Sequence, residues 1–171
     1  MYINFNFRKY ITLKDNLYLK LRERSVSLFL ANILIMKMDL ELLERAKFAR
    51  NNAYAPYSNY KVGAALLTKS GKIYSGCNEE DVSTRAGACA ERVAIFNAIS
   101  NGEEKDFEKI LIIGGNSNDR FDKITPCGTC RQMLFEFCEP DFEIINYYIE
   151  NGQEKLITYK LSELLPHSFK I

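Results

Sequence analysis

Hydrophobic positions between residues 39 and 53 recur with the spacing of one face of a helix. Asp39 can cap the first turn, and the Ala55-Pro56 pair ends the segment, because proline disfavours helix at its own position and at the one before. The residues expected on the buried face are Leu40, Leu43, Ala46, Ala49 and Ala53. The pattern predicts an amphipathic helix over residues 39–53.

Five later segments have the length and apolar content of strands. They cover residues 61–67, 72–77, 109–114, 142–149 and 155–159. The turn Ser70-Gly71 joins the first two as a hairpin, and Asn151-Gly152 joins the last two. The third is a short apolar run of the kind that is buried on both faces of a sheet.

Three apolar segments alternate with these strands and predict further helices, over residues 90–100, 131–137 and 161–165. In the first of them, Val93, Phe96 and Ile99 are expected to be mostly buried together with the alanines. In the second, Met133, Leu134 and Phe137 are expected to face inward. The order of elements predicts an α/β domain in which a mixed sheet of about five strands carries helices on its faces.

Residues 1–37 differ from the rest of the chain in charge. They carry a net +5, which leaves −4 on residues 38–171 of a chain whose total is +1. The apolar run 26–36 follows basic residues, as in a signal peptide, but it is too short to span a bilayer and no cleavage site follows it. We expect an N-terminal extension that is disordered or not natively translated, with Met36 or Met38 as the natural start, and a domain over residues 38–171.

Size, charge and cysteine content narrow the classes of protein further. A chain of 171 residues fits one domain with a real core, and a net charge of +1 does not suggest a nucleic-acid binder. Five cysteines without a disulfide framework fit a reducing compartment, so we expect a cytoplasmic protein with no membrane partner.

Three cysteines and one glutamate have the spacing of a hydrolytic zinc site: Cys89-x-Glu91 and Cys127-x-x-Cys130. Three thiolates leave a fourth position for water, and Glu91 can carry the proton. The alternative is a closed structural site, whose fourth ligand would be Cys77, Cys138 or His167. Cys77 is the serious rival, but Glu91 favours the open catalytic site.

We expect both ligand motifs to stand at helix N-termini. In Cys89-x-Glu91, the two side chains would point in different directions if both residues lay inside a helix. Two helix dipoles would then offset part of the negative charge of three thiolates. Arg92 and Arg131 follow the cysteines directly and could donate hydrogen bonds to the ligand sulfurs.

From about residue 43 to residue 169, the chain resembles the small, homotetrameric, three-cysteine cytidine deaminases. The matching words are Ala55-Pro56-Tyr57-Ser58, Val62-Gly63-Ala64-Ala65-Leu66-Leu67, Gly76-Cys77-Asn78-x-Glu80, Cys89-Ala90-Glu91-Arg92, Pro126-Cys127-Gly128-x-Cys130-Arg131-Gln132 and Glu163-Leu164-Leu165-Pro166. The resemblance implies a three-layer α-β-α fold and the hydrolytic deamination of free cytidine and deoxycytidine in pyrimidine salvage.

The resemblance also implies roles for individual residues. Cys89, Cys127 and Cys130 would hold Zn²⁺, and Glu91 would move protons between water, the ring nitrogen N3 and the departing amine. Residues at the positions of Asn78 and Glu80 hold the ribose hydroxyls, and an aromatic residue at the position of Tyr60 lies against the base. The family forms tetramers whose subunits complete one another's sites.

One loop departs from the family pattern. Residues 79–85 read Glu-Glu-Asp-Val-Ser-Thr-Arg, so a carboxylate replaces an amide at Asp81 and Thr84 replaces an aromatic residue. Together with Glu79 and Glu80, Asp81 predicts an acidic rim. This rim either favours a substrate with a cationic appendage, as in the related blasticidin S deaminases, or pairs with Arg85.

Two alternative functions remain at this point, and two of the residue assignments have an alternative as well. A deaminase that edits polynucleotides would share the zinc words, but a net charge of −4 lacks the basic surface that phosphates require. A zinc-stabilised binding module would keep the cysteines without needing Glu91. Asn78 and Glu80 could also belong to a solvated turn, and Arg92 could be a surface charge.

Overall fold

The computed structural model describes residues 37–83, 86–103, 105–116 and 120–169. Apart from Lys37, the predicted extension over residues 1–37 lies outside these ranges. Residues 39–171 form a compact unit of their own. Across the described residues, the helices are all too short or too polar to cross a membrane.

Within the described residues, four helices and five strands follow one another in the predicted order. The helices are α1 (37–51), α2 (Ala90–Ser100), α3 (Gly128–Phe137) and α4 (Leu161–Leu164). The strands are β1 (Lys61–Thr68), β2 (Ile73–Cys77), β3 (Phe107–Gly115), β4 (Glu143–Glu150) and β5 (Gln153–Lys160). The strand limits differ from the predicted ones by at most two residues at every end, and those of α2 match the prediction.

The strands form one mixed sheet in the order β2-β1-β3-β4-β5. Strands β3 and β4 are parallel, and the other neighbours are antiparallel. In β3, Ile110, Leu111, Ile112 and Ile113 are at most 1% exposed, because both faces of the sheet are covered. The predicted mixed sheet of five strands is confirmed.

Each face of the sheet has its own helical layer. On one face, Ala64, Ile112 and Ile144 belong to the core cluster that also contains Ala94 of α2 and Leu134 of α3. The other face lies against α1, so closely that a Cβ on Gly63 would stand 2.1 Å from the carbonyl oxygen of Ala46. The three-layer α-β-α prediction is confirmed.

Helix α1 buries part of the predicted stripe. Ala46 and Ala49 are buried as predicted, and so is Ala53, although it lies beyond the end of the helix. Leu40 is instead 61% exposed, and Leu42, which was not predicted, is fully buried. The rotation of α1 matches an ion pair between Asp39 and the buried Lys109 of β3, whose Nζ lies 2.5 Å from the carboxylate. Apolar residues at 40, 42 and 43 made the stripe ambiguous in sequence.

Helices α2 and α3 leave part of their apolar surface uncovered within the described chain. Phe96 is 52% and Ile99 is 37% exposed, so the prediction that both are mostly buried is wrong for this chain taken alone. In α3, Leu134 is buried, whereas Met133 and Phe137 are partly exposed at the edge of the core.

Candidate metal centre and substrate pocket

The three predicted metal ligands lie at the starts of two helices. Cys89 is the N-cap of α2 and Cys127 is the N-cap of α3, both with extended backbone, and Cys130 lies in the first turn of α3. The extended N-cap conformation turns each thiol away from the helix that follows it. The prediction that these residues stand at helix N-termini is confirmed.

The three sulfur atoms lie close enough to share one ion. All lie within 4.8 Å of one another, and the Sγ atoms of Cys89 and Cys127 are 3.8 Å apart. Tetrahedral zinc with Zn–S bonds of about 2.3 Å requires sulfurs about 3.8 Å apart. The cysteine cluster therefore fits zinc in both donor type and spacing.

Among the described residues, no other group of three His, Cys, Asp or Glu side chains is placed to hold a metal. Cys77, at the end of β2, lies outside the cluster, and so do Cys138, which is in the core, and the exposed His167. The arrangement agrees with three protein ligands and an open fourth position, which is typical of a catalytic site.

The cluster favours the thiolate form of Cys89. The pKa of Cys89 is lowered to about 5, chiefly by a hydrogen bond from the Cys130 thiol and also by Cys127 and the charge of Arg92, against the opposing effect of burial. The same shared hydrogen bond raises the pKa of Cys130. A thiolate is the form that binds a metal, so the cluster is prepared for one.

Glu91 lies in the first turn of α2 and is 5% exposed. Burial raises the pKa of its carboxyl group to about 7, and the charge of Cys89 acts in the same direction against a backbone hydrogen bond. A carboxyl group with this pKa can both accept and donate a proton near neutrality, as general acid–base catalysis requires.

The two arginines predicted to contact the ligand sulfurs have different partners. Arg92 donates through Nη2 to the carbonyl oxygen of Gly87 at 2.8 Å and also lowers the pKa of Cys89 through its charge and a hydrogen bond. Arg131 instead donates to three oxygen atoms, on Pro126, Thr125 and Leu164. Arg131 thus connects the segment before Cys127 to α4. The acceptors of these three hydrogen bonds are oxygen atoms, whereas the prediction was a ligand sulfur.

A cavity of about 760 Å³ opens over the cluster and brings the other predicted residues together. Tyr60, Asn78 and Glu80 line it on one side, and Cys89 and Glu91 line it on the other. A volume in this range suits a ligand the size of a nucleoside. Arg131 is absent from the lining, although its partner Thr125 belongs to it.

Asn78 and Glu80 are anchored to the chain that carries Tyr60. Asn78 accepts a hydrogen bond from the Val62 amide at 2.7 Å and donates one to the Tyr60 carbonyl oxygen at 2.9 Å. Glu80 accepts from the Tyr57 amide at 2.9 Å and from the Ser58 hydroxyl. Both side chains therefore have hydrogen-bond partners within the chain, whereas in the alternative of a solvated turn they would contact water.

Two polar residues that contact this pocket's lining had no predicted role. Ser58 contacts Glu80, and Asp122, with burial as the larger cause, raises the pKa of Tyr60 to about 12 and accepts its hydrogen bond. Ser58 belongs to one of the motifs shared with the family, but its partner Glu80 is 22 positions away. Asp122 belongs to none of these motifs. Neither contact has a local signature in the sequence.

The acidic rim lies at the mouth of the cavity, where Glu79, Glu80 and Asp81 line it. Asp81 accepts a hydrogen bond from the Ser83 amide at 2.8 Å, which together with the Ser83 hydroxyl lowers its pKa. Thr84 and Arg85, the other departures from the family pattern, lie outside the described residues.

Three comparisons with known proteins agree with this site. Residues 36–145 match the family model described as the cytidine and deoxycytidylate deaminase zinc-binding region. The chain is 38% identical to the cytidine deaminase of Sporosarcina psychrophila over 77% of its own length and 92% of that protein. It is also 35% identical to the blasticidin-S deaminase of Bacillus cereus, over 77% and 92%.

A solved structure gives the same result in three dimensions. The crystal structure of cytidine deaminase from Burkholderia pseudomallei superposes with a TM-score of 0.63 at 41% sequence identity. The match covers 75% of this chain and 97% of that one. The similarity thus spans nearly the whole of the solved chain.

Proposed function

The chain belongs to the cytidine and deoxycytidylate deaminase family, and from this premise we propose that it hydrolyses cytidine and deoxycytidine to uridine and deoxyuridine, with release of ammonia. The observation that carries the proposal is the thiol cluster of Cys89, Cys127 and Cys130 in the same cavity as the buried Glu91. A structural metal site would have no use for a buried carboxyl group at this place.

Cys89, Cys127 and Cys130 are proposed to hold Zn²⁺. When bound, the ion lowers the pKa of a water molecule so that the water can attack at neutral pH. The N-termini of α2 and α3 and the charge of Arg92 offset part of the negative charge of three thiolates.

Glu91 is proposed to move the two protons of the reaction. It takes one proton from the attacking water and delivers it to N3 as the oxygen bonds to C4 of the pyrimidine. It then takes the proton of the hydroxyl group formed on C4 and delivers it to the exocyclic amine, so that the C4=O bond forms, the C4–N bond breaks and ammonia leaves. The burial of Glu91 suits this exchange, because it raises the pKa of the carboxyl group to about 7.

The remaining predicted residues are proposed to hold the substrate. Tyr60 lies against the base, and Glu80 and Asn78 face the sugar, with Glu80 as a hydrogen-bond acceptor for a hydroxyl group. The depressed pKa of Glu80, caused chiefly by the Ser58 hydroxyl, supports this assignment because it keeps the carboxylate ionised.

Ammonia release by the zinc-loaded protein tests the proposal directly. We expect turnover of cytidine and deoxycytidine, and we expect Glu91→Gln to reduce kcat by about 10²- to 10⁴-fold while zinc content and melting temperature stay unchanged. Glu139→Gln, which alters an exposed carboxylate, is the matched control. Full activity in Glu91→Gln would show that the carboxyl group has no part in the chemistry.

A second candidate substrate is an aminopyrimidine nucleoside with a cationic appendage, of the blasticidin S kind. The observation that favours it is the acidic rim, in which Glu79 and Asp81 are both exposed. Blasticidin S belongs in the same ammonia assay. Ammonia release from blasticidin S without ammonia release from cytidine would favour this alternative.

We further propose a homotetramer that acts in pyrimidine salvage in the cytoplasm. The family resemblance and the exposed Phe96 and Ile99 of α2 support assembly. Light scattering after size exclusion should give four chains per particle, and Phe96→Asp should lower that number. A monomeric, fully active wild-type protein would contradict the tetramer.

A further inference from the structure

The hydroxyl group of Ser58 joins two residues of the pocket. It donates a hydrogen bond to Oε1 of Glu80, and its oxygen accepts one from the Tyr60 amide at 2.9 Å. Ser58 is exposed and lines the cavity, so the sheet and the core do not require its hydroxyl group. A polar side chain with two site residues as partners calls for a functional explanation.

The carboxylate of Glu80 is fixed from one side. Oε2 accepts the Tyr57 amide at 2.9 Å and the Ser58 amide at 3.2 Å, while Oε1 accepts the Ser58 hydroxyl. Three of its acceptor positions are therefore occupied by two consecutive residues. What remains of Oε1 can only accept, so it recognises a donor such as a sugar hydroxyl.

Tyr60 is held at both ends of its own backbone. Its amide donates to Ser58 and its carbonyl oxygen accepts from Asn78 at 2.9 Å. Between Ser58 and Tyr60, Asn59 has a φ of 56°, so the backbone makes a left-handed step that brings the hydroxyl group back to the Tyr60 amide. The hydroxyl group that contacts Glu80 is thus held in place by the Tyr60 backbone amide.

We propose that Ser58 is a positioning residue, whose hydroxyl group orients the sugar-side acceptor Glu80 and sets the preference for substrates that carry ribose hydroxyls. The inference rests on the proposed function. It adds a specificity determinant that touches neither the metal nor the reacting atoms.

The test compares two substrates that differ only in the sugar: cytidine, and 2′,3′-dideoxycytidine, which lacks both hydroxyls of that edge. Ser58→Ala is expected to raise KM for cytidine about tenfold, the size of one hydrogen bond to a charged group. The change in KM for dideoxycytidine should stay below about threefold, and kcat should change little on either substrate, because Cys89 and Glu91 are untouched.

Two further variants complete the design. Ser58→Thr keeps the hydroxyl group and is expected to restore the preference of the wild type for cytidine. Ser100→Ala removes a hydroxyl group that donates to the Asn97 carbonyl oxygen at the far end of α2, and should leave both substrates unaffected. Zinc content and melting temperature verify that each variant is folded.

Equal losses on both substrates in folded Ser58→Ala, no loss on either, or failure of Ser58→Thr to restore the preference would each overturn the role of Ser58. A wild-type protein that deaminates neither substrate would overturn the proposed function and this inference with it. The two failures are therefore told apart by the wild type alone.

Discussion

Cys127 is the most exposed cysteine of the cluster, and Cys77 is the nearest rival that the sequence offered. We expect Cys127→Ser to bind well below one zinc per chain, because it leaves two of three sulfurs at the site. Cys77→Ser should keep full zinc, which metal analysis of the purified proteins measures. Zinc loss in Cys77→Ser would mean that the site is closed by a fourth cysteine.

The residues of the site were predictable to different degrees. Cys89, Glu91, Cys127 and Cys130 stand in two short words whose chemistry depends on spacing along the chain, so the sequence alone was sufficient to group them. The partners of Arg131 were not predictable, because Leu164 is 33 positions away and a guanidinium group accepts any nearby oxygen. Side-chain contacts across long separations depend on the finished fold.

Gly63 allows α1 to lie directly on β1. A Cβ there would stand 2.1 Å from the Ala46 carbonyl oxygen and 2.7 Å from the Arg50 amide, so Gly63→Ala must push the helix away from the sheet. We expect a loss of about 1–3 kcal/mol in the free energy of unfolding, measured by urea denaturation.

The matched control for Gly63→Ala is Gly128→Ala, since a Cβ at Gly128 meets no heavy atom within 4 Å. Its stability should equal that of the wild type or exceed it slightly, because alanine favours helix over glycine. Equal stability in both variants would mean that α1 does not pack against β1 as described.

Glu103 joins the β1–β2 hairpin to the end of α2. It accepts hydrogen bonds from Lys72 at 2.8 Å and from Tyr74 at 3.2 Å, and the contact with Lys72 is the main reason that its pKa is lowered. A lowered pKa in the folded state contributes stability above the unfolded value of about 4.3, and this contribution is lost as pH falls through the folded pKa.

Glu103→Gln should therefore melt below the wild type at pH 7, and the difference should shrink as pH falls through the lowered pKa of Glu103. The shift should be modest because Lys72 is largely exposed. Glu108→Gln, at an exposed position on β3, is the control and should show no such pH dependence. A constant difference across this range would exclude the carboxylate charge as its cause.

Elements were easier to predict than the faces they bury. Strand alternation and the turns Ser70-Gly71 and Asn151-Gly152 set the hairpins, and both were found. The buried face of α1 was predicted correctly at Ala46 and Ala49 but not in its first turn, where Leu42 is buried and Leu40 is exposed. The Asp39–Lys109 pair, which accompanies this orientation, joins residues 70 positions apart. Phe96 and Ile99 were expected to be buried because they are hydrophobic. Hydrophobicity does not tell whether a residue is covered by its own chain or by another one.

At the scale of the whole molecule, all described strands and the cysteine cluster lie in the unit formed by residues 39–171. A chain that starts at Met36 should therefore keep zinc, activity and a melting temperature within about 3 °C of the full chain, a shift worth less than about 1 kcal/mol. Circular dichroism and the ammonia assay measure this. A large loss would show that residues 1–35 stabilise the domain.

The contrasting truncation starts at residue 52 and removes α1. It exposes the sheet face that carries Gly63 and Ala65 and leaves Lys109 without Asp39. We expect this chain to be insoluble or unfolded, because a sheet with one bare apolar face cannot hold its core. A folded product would mean that α1 is dispensable.

Cys89 and Cys127 are separated by 38 positions and meet at one point. An ion bound there cross-links two distant parts of the chain and closes a long loop of backbone. Because this cross-link lowers the entropy of the unfolded chain, the ion stabilises the fold as well as serving in catalysis. A homologue that is no longer under selection for catalysis would still need the bound ion to stay folded. Such descendants are expected to lose Glu91 first and to keep their three cysteines.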